Sequence, residues 1–428
     1  MQKQILLFTI IIHSLVHTTS LWELALNYQK QEYFGEAIHC YELLLEQEPY
    51  NTQACFNLGC CYLALGQGYK AMELFDRIDA IPARYNSAYT RKTIGLLDEA
   101  IELYTKIIDD CPTYEPAQLA LGFAYLTQGN FERGWRQHTR YLKQSGKNGD
   151  KLRILLKHNN LEGKTVLLTP EGGLGDTLQF IRYAERLHTL GAYVIVIAQK
   201  PLISLLSRCP YIDMLLTSAD PVPIYDAHAT LMSLPAIFND NEDTFPRTIP
   251  YLFADNTLVN EWKEKLAHDT HYKVGICWAA DVKNDESRLP IARRGCPLHM
   301  FAPLNNLENV SFYSLQKYDG IEEIHTLPNS FRLTHYPDLD EHCAPFEDTA
   351  ALIKNMDLII TVDTAIAHLA GGLGCTVWLL LPYATDWRWI YNRTDSPWYP
   401  TMRIFKQQKP FDWESVIEAI HRDVLTEI

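Results

Sequence analysis

The stretch "TPEGGLGDTLQF", Thr169 to Phe180, marks the point where the character of the chain changes. A short apolar run, "KTVLLT", leads into it, and a helical pattern, "TLQFIRYAERLHTL", follows it. An apolar run, a glycine-rich joint and a helix are the parts of a strand–turn–helix unit. The sequence therefore predicts that an α/β region opens here, with its ligand edge at the joint.

Short apolar, β-branched runs alternate with helical patterns from this joint onward. The runs are "KTVLLT", "AYVIVIA", "IDMLL", "YKVGICWA", "VSFYSLQ", "DLIITV" and "TVWLLLP". Such alternation is typical of βαβ units and parallel sheets. A second block of runs starts near Tyr272, so we expect two doubly wound domains facing each other across a cleft. The segment "DWESVIEAIHRDVLTEI" predicts a closing amphipathic helix.

The first third of the chain repeats itself with a step of 34 residues, shortened once to 29. The matching positions are Leu24 and Leu58, Tyr28 and Tyr62, and Ala37 and Ala71, followed by Ala100 and Gly134. Small residues recur where paired helices must approach closely, and large residues recur where they fill the space between. Pro49, Pro82 and Pro112 are expected to end the second helices. The pattern resembles the tetratricopeptide repeat (TPR), with about four units that stack into an α-solenoid.

The composition limits the classes of partner and compartment. The net charge of −14 argues against nucleic acid as a partner, because a phosphate backbone requires a basic face. The ten cysteines include no CxxC pair and no Cys/His spacing suited to zinc. We therefore expect buried free thiols in a reducing compartment, and no metal site.

The N-terminus leaves two alternatives open. "MQKQ" is followed by "ILLFTIIIHSLVH" and "TTS", which resembles a signal peptide or a weak anchor over residues 1–20. The alternative is a structured capping segment. We expect TPR repeats over residues 21–144, an N-terminal Rossmann-like domain over 145–260 and a C-terminal one over 261–428.

The opening joint does not match the nucleotide-binding motifs. A GxGxxG fingerprint would need a glycine at Leu178, and the next strand ends without the acidic residue that binds a ribose hydroxyl. No GxxxxGK[ST] occurs, which excludes a P-loop. What remains is Asp176 at the start of a helix, either as a structural helix cap or as a functional carboxylate.

A second stretch, "LIITVDTAIAHLAGGLG" (Leu358 to Gly374), offers a better anion site. The N–H groups of Thr364 and Ala365 lie at a predicted helix N-terminus, where the dipole favours anions. His368 lies one turn further and can reach the same place. A diphosphate fits this arrangement; the alternative is a capped packing helix with a structural histidine.

Together the two stretches resemble the heptosyltransferase type of glycosyltransferase (family 9). That family has the GT-B fold of two Rossmann-like domains, a Gly-Asp turn after the first strand, and an Asp-Thr-Gly-x-x-His-Leu segment in the second domain. Here they read Gly175-Asp176 and "DTAIAHL", from Asp363 to Leu369. The resemblance covers roughly residues 164–410. With the N-terminal repeats, the chain resembles bacterial TPR–glycosyltransferase proteins.

The resemblance implies a role for each matching residue. Asp176 would be the general base that deprotonates the acceptor hydroxyl. The residues implied to hold the donor diphosphate are Thr364, Ala365, His368, Lys283 and Arg288. Those implied to shape the site or meet the donor sugar are Asp363, Gly173, Gly175 and Thr177. Ala365 replaces the family's glycine, which adds a methyl group but keeps the N–H donor.

The expected activity is metal-independent transfer of a sugar from a nucleoside-diphosphate sugar to a hydroxyl of a glycan, lipid or protein. No cofactor is expected beyond this co-substrate, and the TPR surface would bind a peptide or protein. The alternative is a TPR scaffold whose GT-B domain is inactive. Nucleotide sugars are cytosolic, so we expect a cytoplasmic or membrane-associated protein, with export left open by the N-terminus.

Overall fold

The computed structural model describes residues 20–144, 150–158, 161–281, 289–327 and 331–427. The chain divides into two compact units. The first comprises the residues up to Ala124 together with Leu289–Ala292, and the second comprises the remainder. The predicted signal peptide or anchor lies outside the described residues except for Ser20, and Lys283 and Arg288 lie outside them as well.

Eight helices follow one another in the first part of the chain. They are α1 (Leu21–Lys30), α2 (Phe34–Gln47), α3 (Thr52–Ala64), α4 (Gly68–Phe75), α5 (Ile81–Thr93), α6 (Leu97–Asp110), α7 (Glu115–Thr127) and α8 (Phe131–Gln144). The helix α1 packs on α2, α3 on α4 and α5 on α6, as TPR units require. A Cβ atom on Gly59 would lie 2.8 Å from the ring of Phe75, which explains the recurring small residue.

The ends of the helices agree with the sequence pattern, except at Pro82. Ser20 and Glu23 form a capping box at the start of α1. The prediction that Pro82 ends a second helix is wrong, because α4 already ends at Phe75 and Pro82 is the second residue of α5. A proline is favourable in the first turn of a helix, where its missing N–H has no acceptor in the helix.

The second unit contains two parallel sheets. The strands of the first are β1 (Thr165–Thr169), β2 (Tyr193–Ile197), β3 (Met214–Leu216) and β4 (Ala227–Thr230), in the order β3-β2-β1-β4. Those of the second are β5 (Tyr272–Cys277), β6 (Val310–Ser314), β7 (Leu333–Thr334), β8 (Leu358–Val362), β9 (Val377–Leu381) and β10 (Met402–Lys406), in the order β10-β9-β8-β5-β6-β7. The predicted pair of Rossmann-like folds is therefore present.

Nine further α-helices accompany the sheets within the described residues. They are α9 (Asp150–Lys157), α10 (Leu174–Phe180), α11 (Arg182–Thr189), α12 (Ile203–Leu206), α13 (Leu234–Phe238), α14 (Asn256–Lys265), α15 (Glu347–Ile353), α16 (Ala365–Gly372) and α17 (Trp413–Glu427). The apolar face predicted for α17 is buried in the core of the second sheet, beside Phe405 and Val310. No helix in the described part of the chain is long and apolar enough to span a bilayer.

The ten cysteines are free thiols, as predicted, and six of them are buried. Burial raises the pKa of the Cys61 thiol to about 12 and that of Cys277 to about 11. These thiols therefore remain protonated at neutral pH and act as small apolar groups.

Candidate functional site

Each of the two stretches singled out from the sequence follows a strand that lies beside the switch point of its sheet. In the first sheet the chain moves outward from β1 to β2 and β3, and then returns to the other side of β1 with β4. In the second sheet it leaves β5 on one side for β6 and β7, and returns on the other side with β8. Ligands of such sheets bind at the carboxyl ends of the strands beside these switch points. Asp176 follows β1, and Asp363 follows β8.

Asp176 folds back onto the turn that precedes its own helix. It is the third residue of α10, and its Oδ2 accepts a hydrogen bond of 2.6 Å from the N–H of Gly173. Gly172 has a positive φ of 82°, and a Cβ atom there would lie 2.2 Å from the same Oδ2. Glycine at this position therefore allows both the turn and the placement of the carboxylate.

The second oxygen of Asp176 is bound by Arg388. Arg388 Nη2 lies 2.5 Å from Asp176 Oδ1, Nη1 lies 2.8 Å from Asp386 Oδ1, and Nε donates to Gln179. The guanidinium also covers the ring of Trp387 at 4.7 Å. Burial opposes its charge, but Asp386 and Asp176 outweigh burial and raise the pKa of Arg388. A permanent cation therefore faces the candidate base.

The start of α16 has the form of an anion site. Thr364 caps the helix in extended conformation, and its Oγ1 accepts the N–H of Ile366 at 3.2 Å. Thr364 and Ala365 are half-buried. Their N–H groups precede the first intrahelical donor and lie at the positive end of the helix dipole.

The N-termini of α10 and α16 pack against each other. A Cβ atom on Gly175 would lie 3.0 Å from His368 Cδ2 and 3.5 Å from Ala365 Cα. The absence of a side chain at Gly175 therefore serves this close approach between the two Rossmann-like folds. The packing brings the stretch around Asp176 and the stretch from Asp363 to His368 to one place.

His368 lies at the centre of this contact and is buried. Its Nδ1 lies 2.8 Å from the hydroxyl of Tyr399, and its ring stacks on Trp389. Burial, together with the charges of Arg388 and Arg182, lowers the pKa of His368 to about 3. The ring is therefore neutral at physiological pH, and its Nδ1 is engaged by Tyr399.

Two further predicted residues are largely withdrawn from solvent. Burial raises the pKa of Asp363; nearby Asp386 adds to the rise, and Arg294 opposes it. Thr177 is fully buried, and its hydroxyl donates to Gln199 Oε1 at 2.9 Å. Both residues support the packing around the site.

A second buried arginine joins the two Rossmann-like folds. Arg182, in α11, donates from Nη1 to the carbonyl oxygens of Pro246 and Trp398, and from Nη2 to the hydroxyl of Tyr251. Its guanidinium lies between the rings of Tyr251 and Tyr399. The charge is retained in this buried position by aromatic rings and carbonyl dipoles.

Sequence reasoning missed Arg388 as a site residue. It lies in "ATDWRWIYN", where an aspartate and an arginine are separated by a tryptophan and followed by another. Aromatic residues around a charged pair indicate partial burial, and a partly buried arginine requires an acidic partner. That signal predicts an ion pair but does not identify Asp176 as its second member.

One group of possible metal ligands lies elsewhere among the described residues. Oxygen and sulfur atoms of Asp340, Cys343 and Asp348 lie within 4.8 Å of one another. Asp340 Oδ2 already accepts from Thr349, and Asp348 Oδ1 already accepts from the indole of Trp262. These protein donors account for the arrangement, and the cluster is distant in sequence from both site stretches.

Comparison with known proteins gives likenesses to each part of the chain. No protein-family model matches. The protein FlbA of Caulobacter vibrioides is 24% identical over 419 residues, which cover 90% of this chain and 69% of FlbA.

Three solved structures resemble one part each. The match to the glycosyl transferase family 9 protein of Veillonella parvula covers 62% of this chain and 96% of that protein, with 11% identity and a TM-score of 0.44. The match to the E. coli ADP-heptose LPS heptosyltransferase II covers 61% of this chain and 99% of that protein, with 13% identity and a TM-score of 0.40. The match to the protein MamA covers 28% of this chain and 73% of MamA, with 20% identity and a TM-score of 0.27.

Proposed function

We propose that the protein transfers a sugar from a nucleoside-diphosphate sugar to an acceptor hydroxyl. The observation that carries the proposal is the contact between the N-termini of α10 and α16 at Gly175. It sets a carboxylate, Asp176, beside a helix N-terminus with donors for a diphosphate. A base and an anion site are the two elements that such a transfer needs.

The leaving-group side of the reaction belongs to α16. The N–H groups of Thr364 and Ala365 would bind the diphosphate and stabilise the charge that develops as the sugar leaves. His368 would contribute a neutral N–H from Nε2. Lys283 and Arg288 stay predicted donors to the same diphosphate.

The acceptor side belongs to Asp176. As general base it would take the proton of the acceptor hydroxyl while the oxygen attacks the anomeric carbon. Each of its oxygens already accepts one hydrogen bond, from Arg388 or from Gly173, and retains a second lone pair for the acceptor. Arg388 would fix the direction in which that lone pair points.

The first experiment tests the donor site with one backbone atom. Ala365 is the first residue of α16, where proline is tolerated, so Ala365→Pro removes a single N–H donor from the site. We expect calorimetry with a panel of nucleoside diphosphates to show binding by the wild type and loss of at least tenfold in affinity for the proline variant. The matched control is Ala365→Gly, which retains the N–H and should bind as the wild type does.

The second experiment tests the base. Asp176→Asn retains the size and one acceptor oxygen of the side chain but removes its basicity. We expect sugar transfer, measured with a panel of sugar nucleotides, to be lost while nucleoside-diphosphate binding is retained. Full transfer by this variant would exclude Asp176 as the base.

A second candidate function is favoured by the ion pair itself. Arg388 and Asp176 are both engaged within the protein, which is also what a fold that has lost catalysis would retain. In that case the protein is a TPR scaffold, and its TPR surface is the functional part. Absence of binding to every nucleoside diphosphate would favour this candidate. In either case we propose a cytoplasmic or membrane-associated location.

A further inference from the structure

The turn between β1 and α10 carries a second carboxylate, Glu171, which precedes Asp176 by five residues. Its side chain is half-buried, and its Oε2 is shielded from solvent with no hydrogen-bond partner among the described residues. Buried polar atoms of folded proteins are almost always paired. A shielded carboxylate oxygen in a turn that borders a candidate ligand site therefore points to a partner outside the chain.

Glu171 lies close to the candidate base. The next residue, Gly172, has no side chain, and a Cβ atom there would lie 2.2 Å from Asp176 Oδ2. Since consecutive Cα atoms are about 3.8 Å apart, the Cα atom of Glu171 lies within about 8 Å of that oxygen. Both carboxylates therefore belong to the carboxyl end of β1, the edge at which ligands of such sheets bind.

A hydrogen-bond donor without a partner also lies beside Asp176. Gln179, one turn further along α10, is fully buried. Its Oε1 accepts from Arg388 Nε at 2.8 Å, whereas Arg388 Nη2 binds Asp176. One guanidinium thus holds the amide of Gln179 and the carboxylate of Asp176 side by side. The other end of the amide, Nε2, has no hydrogen-bond partner within the described part of the chain.

We propose, on the basis of the sugar transfer proposed above, that Glu171 binds the acceptor and that this acceptor is an uncharged sugar. Asp176 would take the proton of the reacting hydroxyl, and Glu171 would bind a hydroxyl next to it. Glu171 offers a hydrogen-bond acceptor and Gln179 offers a donor, and a hydroxyl group can satisfy both at once. Adjacent hydroxyl groups of this kind are characteristic of sugars.

Other acceptors match these groups less well. A phosphate or a carboxylate would be repelled by Glu171, and Arg388 is already bound to two carboxylates. An ammonium group only donates hydrogen bonds, so it would leave the amide of Gln179 unpaired. An isolated hydroxyl on a peptide or a lipid would occupy Asp176 alone and leave Glu171 without a partner.

Saturation-transfer NMR on the full-length protein can measure acceptor binding without any transfer. The ligands are methyl glycosides of neutral hexoses, the same sugars in phosphorylated form, and a serine-containing peptide. We expect the neutral glycosides to bind, with an affinity at least tenfold lower in Glu171→Gln, because a hydrogen bond to a charged group is the stronger kind. The matched control is Glu264→Gln, at an exposed position of α14, which should bind as the wild type does.

Two further measurements separate recognition from a structural role of Glu171. Among monodeoxy analogues of a bound glycoside, the one that lacks the hydroxyl at Glu171 should bind the wild type at least tenfold more weakly, and Glu171→Gln should lose most of that difference. The melting temperature of Glu171→Gln should equal or exceed that of the wild type, since its Oε2 has no partner to lose among the described residues. A clearly lower melting temperature would indicate a structural role and overturn the proposal.

Binding and transfer can fail separately. Absence of binding to every neutral glycoside, stronger binding of the phosphorylated sugars or the peptide, or equal affinity in Glu171→Gln would overturn the acceptor site even if sugar transfer is observed. Glycoside binding that depends on Glu171 in a protein that transfers no sugar would support the site and contradict the proposed transfer. Where transfer is measured, Glu171→Gln should raise the KM for the acceptor at least tenfold and leave kcat almost unchanged, whereas Asp176→Asn should lose kcat.

Discussion

Replacing Arg388 with methionine should lower the free energy of unfolding of the second unit, because two carboxylates lose their positively charged partner. The variant retains an apolar side chain of similar length over Trp387, but it leaves Asp176 and Asp386 without their cation. Breaking a buried ion pair costs about 3–5 kcal/mol. The side chains of Asp176 and Asp386 are 24% and 25% exposed, so water can partly replace the arginine. We therefore expect the free energy of unfolding to fall by about 3 kcal/mol, at the lower end of that range.

The assay is thermal unfolding of the full chain, followed through tryptophan fluorescence. A loss of about 3 kcal/mol should lower the apparent melting temperature by about 6–9 °C, since each kcal/mol corresponds to about 2–3 °C in a unit of this size. The matched control is Arg136→Met, which breaks an exposed pair with Glu132 in α8. That pair should contribute less than about 0.5 kcal/mol.

A double-mutant cycle with Asp176→Asn isolates the pair. The effects of Arg388→Met and Asp176→Asn should fall short of additivity by about 1–3 kcal/mol, because both remove the same contact. If the two losses add to within about 0.5 kcal/mol, the contact at 2.5 Å makes no energetic contribution and the reasoning fails.

Other consequences can be measured on single residues. A Cβ atom on Gly371 would lie 2.5 Å from the ring of Tyr399, so Gly371→Ala should lower the free energy of unfolding by about 1–3 kcal/mol, measured by thermal unfolding. The control is Gly35→Ala, which has open space around it and should be neutral or slightly stabilising. His368 is neutral in the folded protein with a pKa of about 3, so below about pH 6.5 the unfolded state binds one more proton and the free energy of unfolding should fall with pH. His368→Gln should lessen this fall. An equal loss of stability in acid for this variant would contradict the buried, neutral state of His368. Burial lowers the pKa of Lys406 to about 8, so NMR of the ¹³C-methylated protein should show one lysine that titrates near pH 8 and vanishes in Lys406→Met.

The sequence predicted most of the architecture, because its signals there are periodic. The 34-residue step from Leu24 to Leu58 indicates repeated helix pairs, each of which can bury its apolar face only against a neighbouring pair. The apolar runs before the two joints report strands that are buried on both faces. The strand β10, "MRIFK", was not predicted, because it is a short strand at the edge of its sheet, and its Arg403 and Lys406 also suit a polar loop.

The site was predictable in its parts but not in its contacts. The sequence indicates that Asp176 and Thr364 follow strands, and parallel sheets bring such positions to one edge. It does not indicate that Gly175 accommodates His368, or that Arg388 binds Asp176 from 212 residues away. Such pairings depend on how two sheets face each other, and no local periodicity encodes that arrangement.

The segment Leu289–Ala292 makes the helical unit depend on a distant part of the chain. These four residues belong to the helical unit, whereas the chain from Arg293 onward belongs to the second unit. Leu289 packs on the apolar cluster that includes Leu63 and Phe75. A fragment that ends after the repeats would lack this cover, so Phe56, Cys60 and Tyr89 should be more exposed in the fragment than in the full chain.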